Sequence, residues 1–256
     1  MDSQENRNQL RTLERAFLIM DTLKDQNGGR VTEIATYLDL PKSTVHNHLS
    51  TLHQLGYLVK EGDEYHIGLK SLDYGGYAAN RKKSYRMARG KVKELANETN
   101  ERAQFIVEEH GRGIYVHQET GSHAVQADVR LGKITHLHTV AAGKAILAHL
   151  PTNRVDAILA NQGLPKYTEN TIINSDKLKD ELSTIRERGW AYNRGERISK
   201  QTAVGVPLTS ENNTVIGAFS ISGPKQRIDR EQLEDKIPNL LLGAVNELEL
   251  NIAFND

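Results

Sequence analysis

Between Val31 and Leu52 two short amphipathic stretches meet at one break, and this spacing constrains the fold more than any other feature of the chain. Val31, Ile34, Ala35 and Leu38 form an i, i+3, i+4, i+7 apolar stripe. Asp39-Leu40-Pro41 stops that helix, because proline lacks an amide donor and pushes the residue before it out of helical geometry. A second helix is expected from Lys42 to Leu52, with Val45, Leu49 and Leu52 on one face. Lys42, Ser43, Thr44, His46, Asn47 and Thr51 then point elsewhere. A tight turn between two helices, the second polar outside, is what reading double-stranded DNA through the major groove requires. Leu58-Val59, the turn Glu61-Gly62-Asp63-Glu64 and the returning Tyr65-His66-Ile67-Gly68 predict a two-stranded wing. Before this motif a helix is expected over Arg11 to Lys24, with Leu13, Phe17, Met20 and Ile19 or Leu23 inward, stopped by Asn27-Gly28-Gly29.

Charge has to be mapped along the chain before it can be weighed. The formal net charge is zero, and residues 1–80 hold eight Lys/Arg against eleven Asp/Glu. The next eleven residues carry six basic side chains and no acid: Arg81, Lys82, Lys83, Arg86, Arg89 and Lys91. Such a run either faces phosphates or forms a solvated helix face that meets acids on a second copy of the chain. At 256 residues and 38% hydrophobic content the chain suits two modest cores better than one large one. It has no cysteine, which fits a reducing cytoplasm. Residues Met1 to Asn6 lack the apolar core of a secretory signal, and no apolar run is long enough to span a membrane.

Beyond the wing, Leu69 to Ala79 reads as a transition segment and Lys83 to Thr99 as a helix leading away from the DNA. Strands are expected over Ala103 to Glu109, Ile114 to Glu119, Val125 to Leu131, Trp190 to Asn193, Thr202 to Thr209 and Val215 to Ser222. Helices are expected over Val140 to His149, Asn153 to Ala160 and Ser175 to Gly189, the last with a serine N-cap. A long closing helix is expected over Arg230 to Phe254, interrupted at Pro238. This order predicts an α+β architecture: a winged helix-turn-helix over 1–80, a linker helix over 81–100, and an antiparallel-sheet domain over 101–256.

Two features of that second domain suit either a pocket or plain packing, tight helix contact for the alanines and ordinary strand capping for the serines. Ala141-Ala142-Gly143 sets three small residues at a helix start, where free amides can meet an anion. Ser220 and Ser222 share one face of a strand while Phe219 and Ile221 take the other. Enzymatic readings fare worse. Ala142-Gly143-Lys144-Ala145 lacks the first glycine and the hydroxyl of a phosphate loop, and Ser220 is not in a Gly-x-Ser-x-Gly elbow. His136 and His138 are expected on one strand face, near His117 or His123, but no acidic ligand pattern accompanies them, so no metal is expected. Two alternatives stay open: a hydrolase-type enzyme fused to a helix-turn-helix, and a constitutive DNA-binding protein whose C-terminal domain only oligomerises.

Four ordered blocks carry a resemblance to a known family. They are Leu13-Glu14-Arg15-Ala16-Phe17-Leu18-Ile19-Met20 with Leu40-Pro41-Lys42-Ser43-Thr44-Val45-His46 and Leu55-Gly56-Tyr57-Leu58; then Leu137 to Ala148; Ile185-Arg186-Glu187-Arg188-Gly189-Trp190-Ala191; and Ser220-Ile221-Ser222-Gly223-Pro224. Together they resemble the IclR family of transcriptional regulators over about residues 10–250. The resemblance implies a GAF-like effector domain whose contacts fall on Ala141, Ala142, Asn193, Thr202, Ser220 and Ser222. It also implies a homodimer or homotetramer on a pseudo-palindromic operator, with recognition helices about 34 Å apart or a multiple of it. No cofactor and no turnover are implied. Thr202 stands where many members carry cysteine, and Asn193 where an acid is common. The loop from Arg194 to Gln201 is one residue short and holds Arg194, Arg197 and Lys200. These departures favour a neutral polar or anionic effector, an organic or sugar acid.

Overall fold

Helix α1 (Arg11–Gln26) turns Ile19, Thr22 and Leu23 into the core and leaves Leu13 55% and Phe17 64% exposed. The inward face is therefore rotated from the one expected, and Met20 is only half-buried. A two-residue strand β1 (Gly29–Arg30) follows, which the sequence did not announce. The amide of Arg30 donates to Glu33 Oε2 at 2.8 Å, which satisfies one of the orphan donors at the start of α2 (Val31–Tyr37). Asp39 takes φ of 52° and Pro41 caps α3 (Lys42–Gln54), so the expected break is where the chain turns. β2 (Leu58–Glu61) and β3 (Glu64–Ile67) form the wing, and β1 pairs with β3 to widen it to three strands. Ile19, Leu23, Ile34, Ala35, Val45, Leu49, Leu58 and Tyr65 close this core. The transition segment is a helix, α4 (Ser71–Asn80), whose Tyr74 stacks on Tyr57 at 5.9 Å.

The computed structural model describes residues 10–121 and 130–254, and the chain divides into two units, 1–78 and 79–256. α5 (Lys83–Thr99) belongs to the second unit. Its Tyr85, Ala88, Val92, Leu95 and Ala96 are buried in that unit's core, so the expected linker helix is also a layer of the second unit.

The second unit is built on a six-stranded antiparallel sheet of order β6-β5-β4-β9-β8-β7. Its strands are β4 (Arg102–Glu109), β5 (Arg112–Thr120), β6 (Ile134–Thr135), β7 (Ala191–Asn193), β8 (Gln201–Thr209) and β9 (Val215–Pro224). Most of the Val125 to Leu131 strand expected from sequence lies outside the described residues. One sheet face carries α5 and the closing helix α9 (Ile237–Ala253), packed on Phe105, Phe219 and Ile221. The other face carries α6 (Ala141–His149), α7 (Thr152–Gln162) and α8 (Ser175–Arg188). α8 is capped by Asn174, whose side chain accepts from the Lys177 amide, and not by Ser175. A π-helical turn at Gln232–Lys236 leads into α9 with Pro238 in its first turn, the interruption that proline was expected to cause. Among the described residues no helix is long and apolar enough to cross a membrane.

Candidate functional site

In the first unit, Val45 and Leu49 are fully buried and fix the rotation of α3 about its axis. Residues four apart share a helix face, so Ser43, Asn47 and Thr51 align beside Lys42 and His46, and all five are exposed. Thr44 is half-buried. The Thr51 hydroxyl donates to the Asn47 carbonyl at 2.8 Å, which commits its hydrogen and leaves its oxygen as an acceptor. Asn47 is the one carboxamide in this row, and a carboxamide matches the N6/N7 edge of adenine. The basic run after residue 80 is partly neutralised within the second unit. Arg81 lies 3.1 Å from Glu109, Lys91 lies 2.6 Å from Glu94 and 2.9 Å from Glu247, and Arg86 donates to the Asn80 carbonyl. That weakens the reading of the whole run as a phosphate collar.

In the second unit, strand register decides which side chains meet. Paired residues of antiparallel strands point to the same face. Asn193, Ala203, Ser222 and Arg102 form one row across β7, β8, β9 and β4; Ala191, Gly205, Ser220 and Gln104 form the next. The row between them, Tyr192, Val204, Ile221 and Ala103, faces the α5–α9 core. Over the first face lies the start of α6. A Cβ on Gly205 would sit 2.5 Å from the Ala141 carbonyl carbon and the Ala142 nitrogen, so only glycine there lets the helix N-terminus approach the sheet.

Helix and sheet line a cavity of about 240 Å³, whose wall includes Ala141, Asn193, Ser220 and Ser222 of the six expected contacts. Two expected contacts are not on its wall. Ala142 is buried in the α6–α8 core. Thr202 pairs with Gly223, on the opposite face from Ala203 and Ser222, and spends its hydroxyl on the Asn193 carbonyl at 2.8 Å. A one-residue step along a strand reverses the side chain, and Ala203 takes the place assigned to Thr202.

The hydroxyls are oriented by a residue that the sequence reading missed. Ser220 Oγ donates to Gln104 Oε1 at 2.8 Å, and Gln104 Nε2 donates to Ser222 Oγ at 3.3 Å. Ser222 therefore keeps its own hydrogen for the cavity. Asn193 holds the neighbouring loop instead of presenting its amide: Nδ2 donates to the Thr139 carbonyl, and Oδ1 accepts from the amides of Gly195 and Glu196. The loop is fastened further by Lys144 Nζ, 2.7 Å from Glu196 Oε1, with both side chains buried.

Arg102, Lys133 and Arg197 also line the cavity, and no carboxylate does among the described residues. Burial pushes the Tyr115 phenol on the same wall upward in pKa, so it stays a neutral donor. His136 and His138 are not on a strand face. They flank and enter a 3₁₀ turn, Leu137–Thr139, and their rings meet edge-on at 5.8 Å. Desolvation, followed by the charges of Arg112, His138 and Arg197, lowers His136 to about 4. Among the described residues no three metal-ligating side chains converge, and His123 lies outside them. The alternation of Arg102 and Gln104 with Ala103 and Phe105 was the one sequence signal for the missed wall.

Comparison with known proteins covers both units. The profile described as IclR helix-turn-helix domain matches residues 12–62, and that described as Bacterial transcriptional regulator IclR C-terminal matches residues 78–249. The chain is 32% identical over 241 residues to ArcR of Halobacterium salinarum, named a probable HTH-type transcriptional regulator, covering 93% of this chain and 92% of that protein. It is 28% identical to the HTH-type transcriptional regulator XynR of Escherichia coli, covering 88% and 90%. The crystal structure of the Thermotoga maritima IclR superposes with a TM-score of 0.78 at 28% identity, over 95% of this chain and 99% of that one. An IclR homologue from Microbacterium hydrocarbonoxydans, complexed with 4-hydroxybenzoate, superposes with a TM-score of 0.76 at 20% identity, covering 93% and 99%.

Proposed function

The chain belongs to the IclR family of transcriptional regulators, and from that premise we propose that its affinity for an operator is set by a small organic or sugar acid held in the second unit. The observation that carries this reading is the cavity where Gln104 orients two serine hydroxyls beside the α6 N-terminus and the wall is cationic. Amides in the first turn of a helix have no helical acceptor and favour an anion. The loop beside the cavity is fastened to α6 by the buried Lys144–Glu196 pair, and polar contacts gain strength where water is scarce. The homologue with bound 4-hydroxybenzoate, itself a carboxylic acid, supports the choice of ligand class. A purely oligomerising second unit gives no reason for a cavity whose polar groups include arginines, a lysine and serine hydroxyls.

On the DNA side, Lys42, Ser43, Thr44, His46, Asn47 and Thr51 form the reading surface of α3. One helix reads too few bases, so two copies bind a pseudo-palindrome in the cytoplasm. Leu13, Phe17 and Leu18 on α1, with Leu10 just before it, leave an apolar stripe that suits a second copy. Ligand binding acts by favouring one of two states of the second unit, and α5 is the element of that unit nearest in sequence to the DNA-binding half. A thermal-shift screen of small organic and sugar acids against the full chain tests the ligand claim, since a ligand bound only to the folded state raises the melting point. A wild-type shift that Ser220→Ala with Ser222→Ala removes is expected; a shift that survives places the ligand elsewhere.

A further inference from the structure

The serine end of the cavity accounts for one anionic group, yet two buried polar atoms on its wall have nothing to do with the serines. Thr135 is 2% exposed, and its Oγ1 has no hydrogen-bond partner among the described residues. Arg197 Nη1 is likewise buried and without a hydrogen-bond partner among them. Both residues line the cavity. They come from opposite edges of the sheet: Thr135 from β6, and Arg197 from the loop after β7, which reaches over the cavity.

Arg197 is held in place for binding. Its guanidinium carbon sits 4.3 Å from the centre of the Tyr167 ring, and the Tyr167 hydroxyl lies 2.7 Å from His136 Nδ1. His136 is kept neutral by its desolvated site, so Nδ1 can accept the phenol hydrogen. Stacking occupies a face of the guanidinium and leaves its in-plane N–H edge available, the edge that pairs with two oxygens of a carboxylate. A buried hydroxyl and a buried N–H both lacking protein partners are costly unless a ligand or water completes them, and an anion that reaches both displaces that water.

We propose that the cavity takes an acid with two separated anionic groups, the second held by the Arg197 guanidinium and the Thr135 hydroxyl. This rests on the cavity being the effector site. The first anionic group lies against Ser220, Ser222 and the start of α6. The second lies under the roof formed by Arg197. A monoacid bound at the serines leaves Arg197 and Thr135 unanswered and binds more weakly.

Titration calorimetry on the full chain with three matched pairs tests this: glutarate against pentanoate, adipate against hexanoate, and terephthalate against benzoate. At least one diacid is expected to bind tenfold or more tightly than its monoacid counterpart. Thr135→Val should erase that advantage while leaving monoacid affinity within about twofold, and Arg197→Met should erase it while weakening the diacid more than the monoacid, since it also removes one charge from the wall. Arg197→Lys should keep part of the advantage, because the charge remains and the paired edge is lost. If monoacids bind as tightly as diacids and Ser220→Ala with Ser222→Ala weakens both, the effector site stands and the second subsite falls. If Arg197→Met folds poorly, Thr135→Val alone decides, and an unchanged diacid preference in it overturns the proposal. If no probe binds wild type, both the subsite and the acid-effector reading fall.

Discussion

Lys144 Nζ lies 2.7 Å from Glu196 Oε1 although 52 residues separate them, and the two side chains are 2% and 8% exposed. The pair joins α6, whose first turn forms the floor of the cavity, to the loop that roofs it. Removing one member of a buried pair leaves an uncompensated charge and costs about 3–5 kcal/mol. Lys144→Met is therefore expected to destabilise the chain by about that much in urea unfolding. Adding Glu196→Gln to it should recover a large part of the loss. A single-variant loss below about 1 kcal/mol would show that water already reaches Glu196.

The row Ser43, Asn47, Thr51 predicts how DNA is read. Asn47→Ala should lower affinity for a selected operator by about 1–3 kcal/mol while leaving binding to random duplex nearly unchanged. Binding-site selection from a random pool, followed by titration of wild type and variant, measures both. Equal losses on the two DNAs would give Asn47 a positioning role only.

Phe17 is 64% exposed on α1 with Leu13 and Leu18 exposed beside it. Burying such a side chain is worth about 1.5–3 kcal/mol, so Phe17→Glu should shift a dimer towards monomer by tenfold or more in dissociation constant. Light scattering across micromolar concentrations reads this. A wild-type monomer that still binds its operator tightly contradicts the pairing.

His136 is lowered to about 4, and His117 and His138 are lowered as well, in each case first by desolvation. Their folded pKa values lie below the unfolded value of about 6.5, so the unfolded chain binds more protons between those limits and stability rises with pH. The stability present above about pH 6.5 should fall as pH drops towards 4. His136→Gln is expected to flatten part of that slope in melting curves. An unchanged slope would show that His136 is already protonated in the folded chain.

Elements with a clear period were legible. The register-bearing strands β8 and β9 and the helix α5 lie within two residues of where alternation and the 3.6-residue period place them. What was lost depends on contacts distant in sequence. α4 contains Gly75-Gly76, which lowers helix propensity, and none of its residues is buried, so no apolar stripe marks it. β1 exists only because Gly29 and Arg30 pair with Tyr65 and Glu64. Lys144 sits inside the otherwise apolar run Ala141 to Ala148, and nothing in the sequence ties it to Glu196, 52 residues away. Thr202 entered the expected site through the family resemblance, and only the β8–β9 register, which sets Ala203 opposite Ser222, turns its side chain off the cavity wall. Gln104 could not be tied to the serines without the β4–β9 register.

A ligand in the cavity is proposed to control operator binding. A full swing from 1% to 99% bound needs about 5.5 kcal/mol of differential affinity between states. The direct measurement is operator affinity, on a duplex selected by the protein itself, with and without an acid that shifts its melting point. Wild type should change operator affinity at saturating acid. Ser220→Ala with Ser222→Ala should keep the unliganded affinity and lose the response, with a melting point confirming that Gln104, left without its serine partners, has not unfolded the domain. A double variant that responds at the wild-type acid concentration would contradict the account.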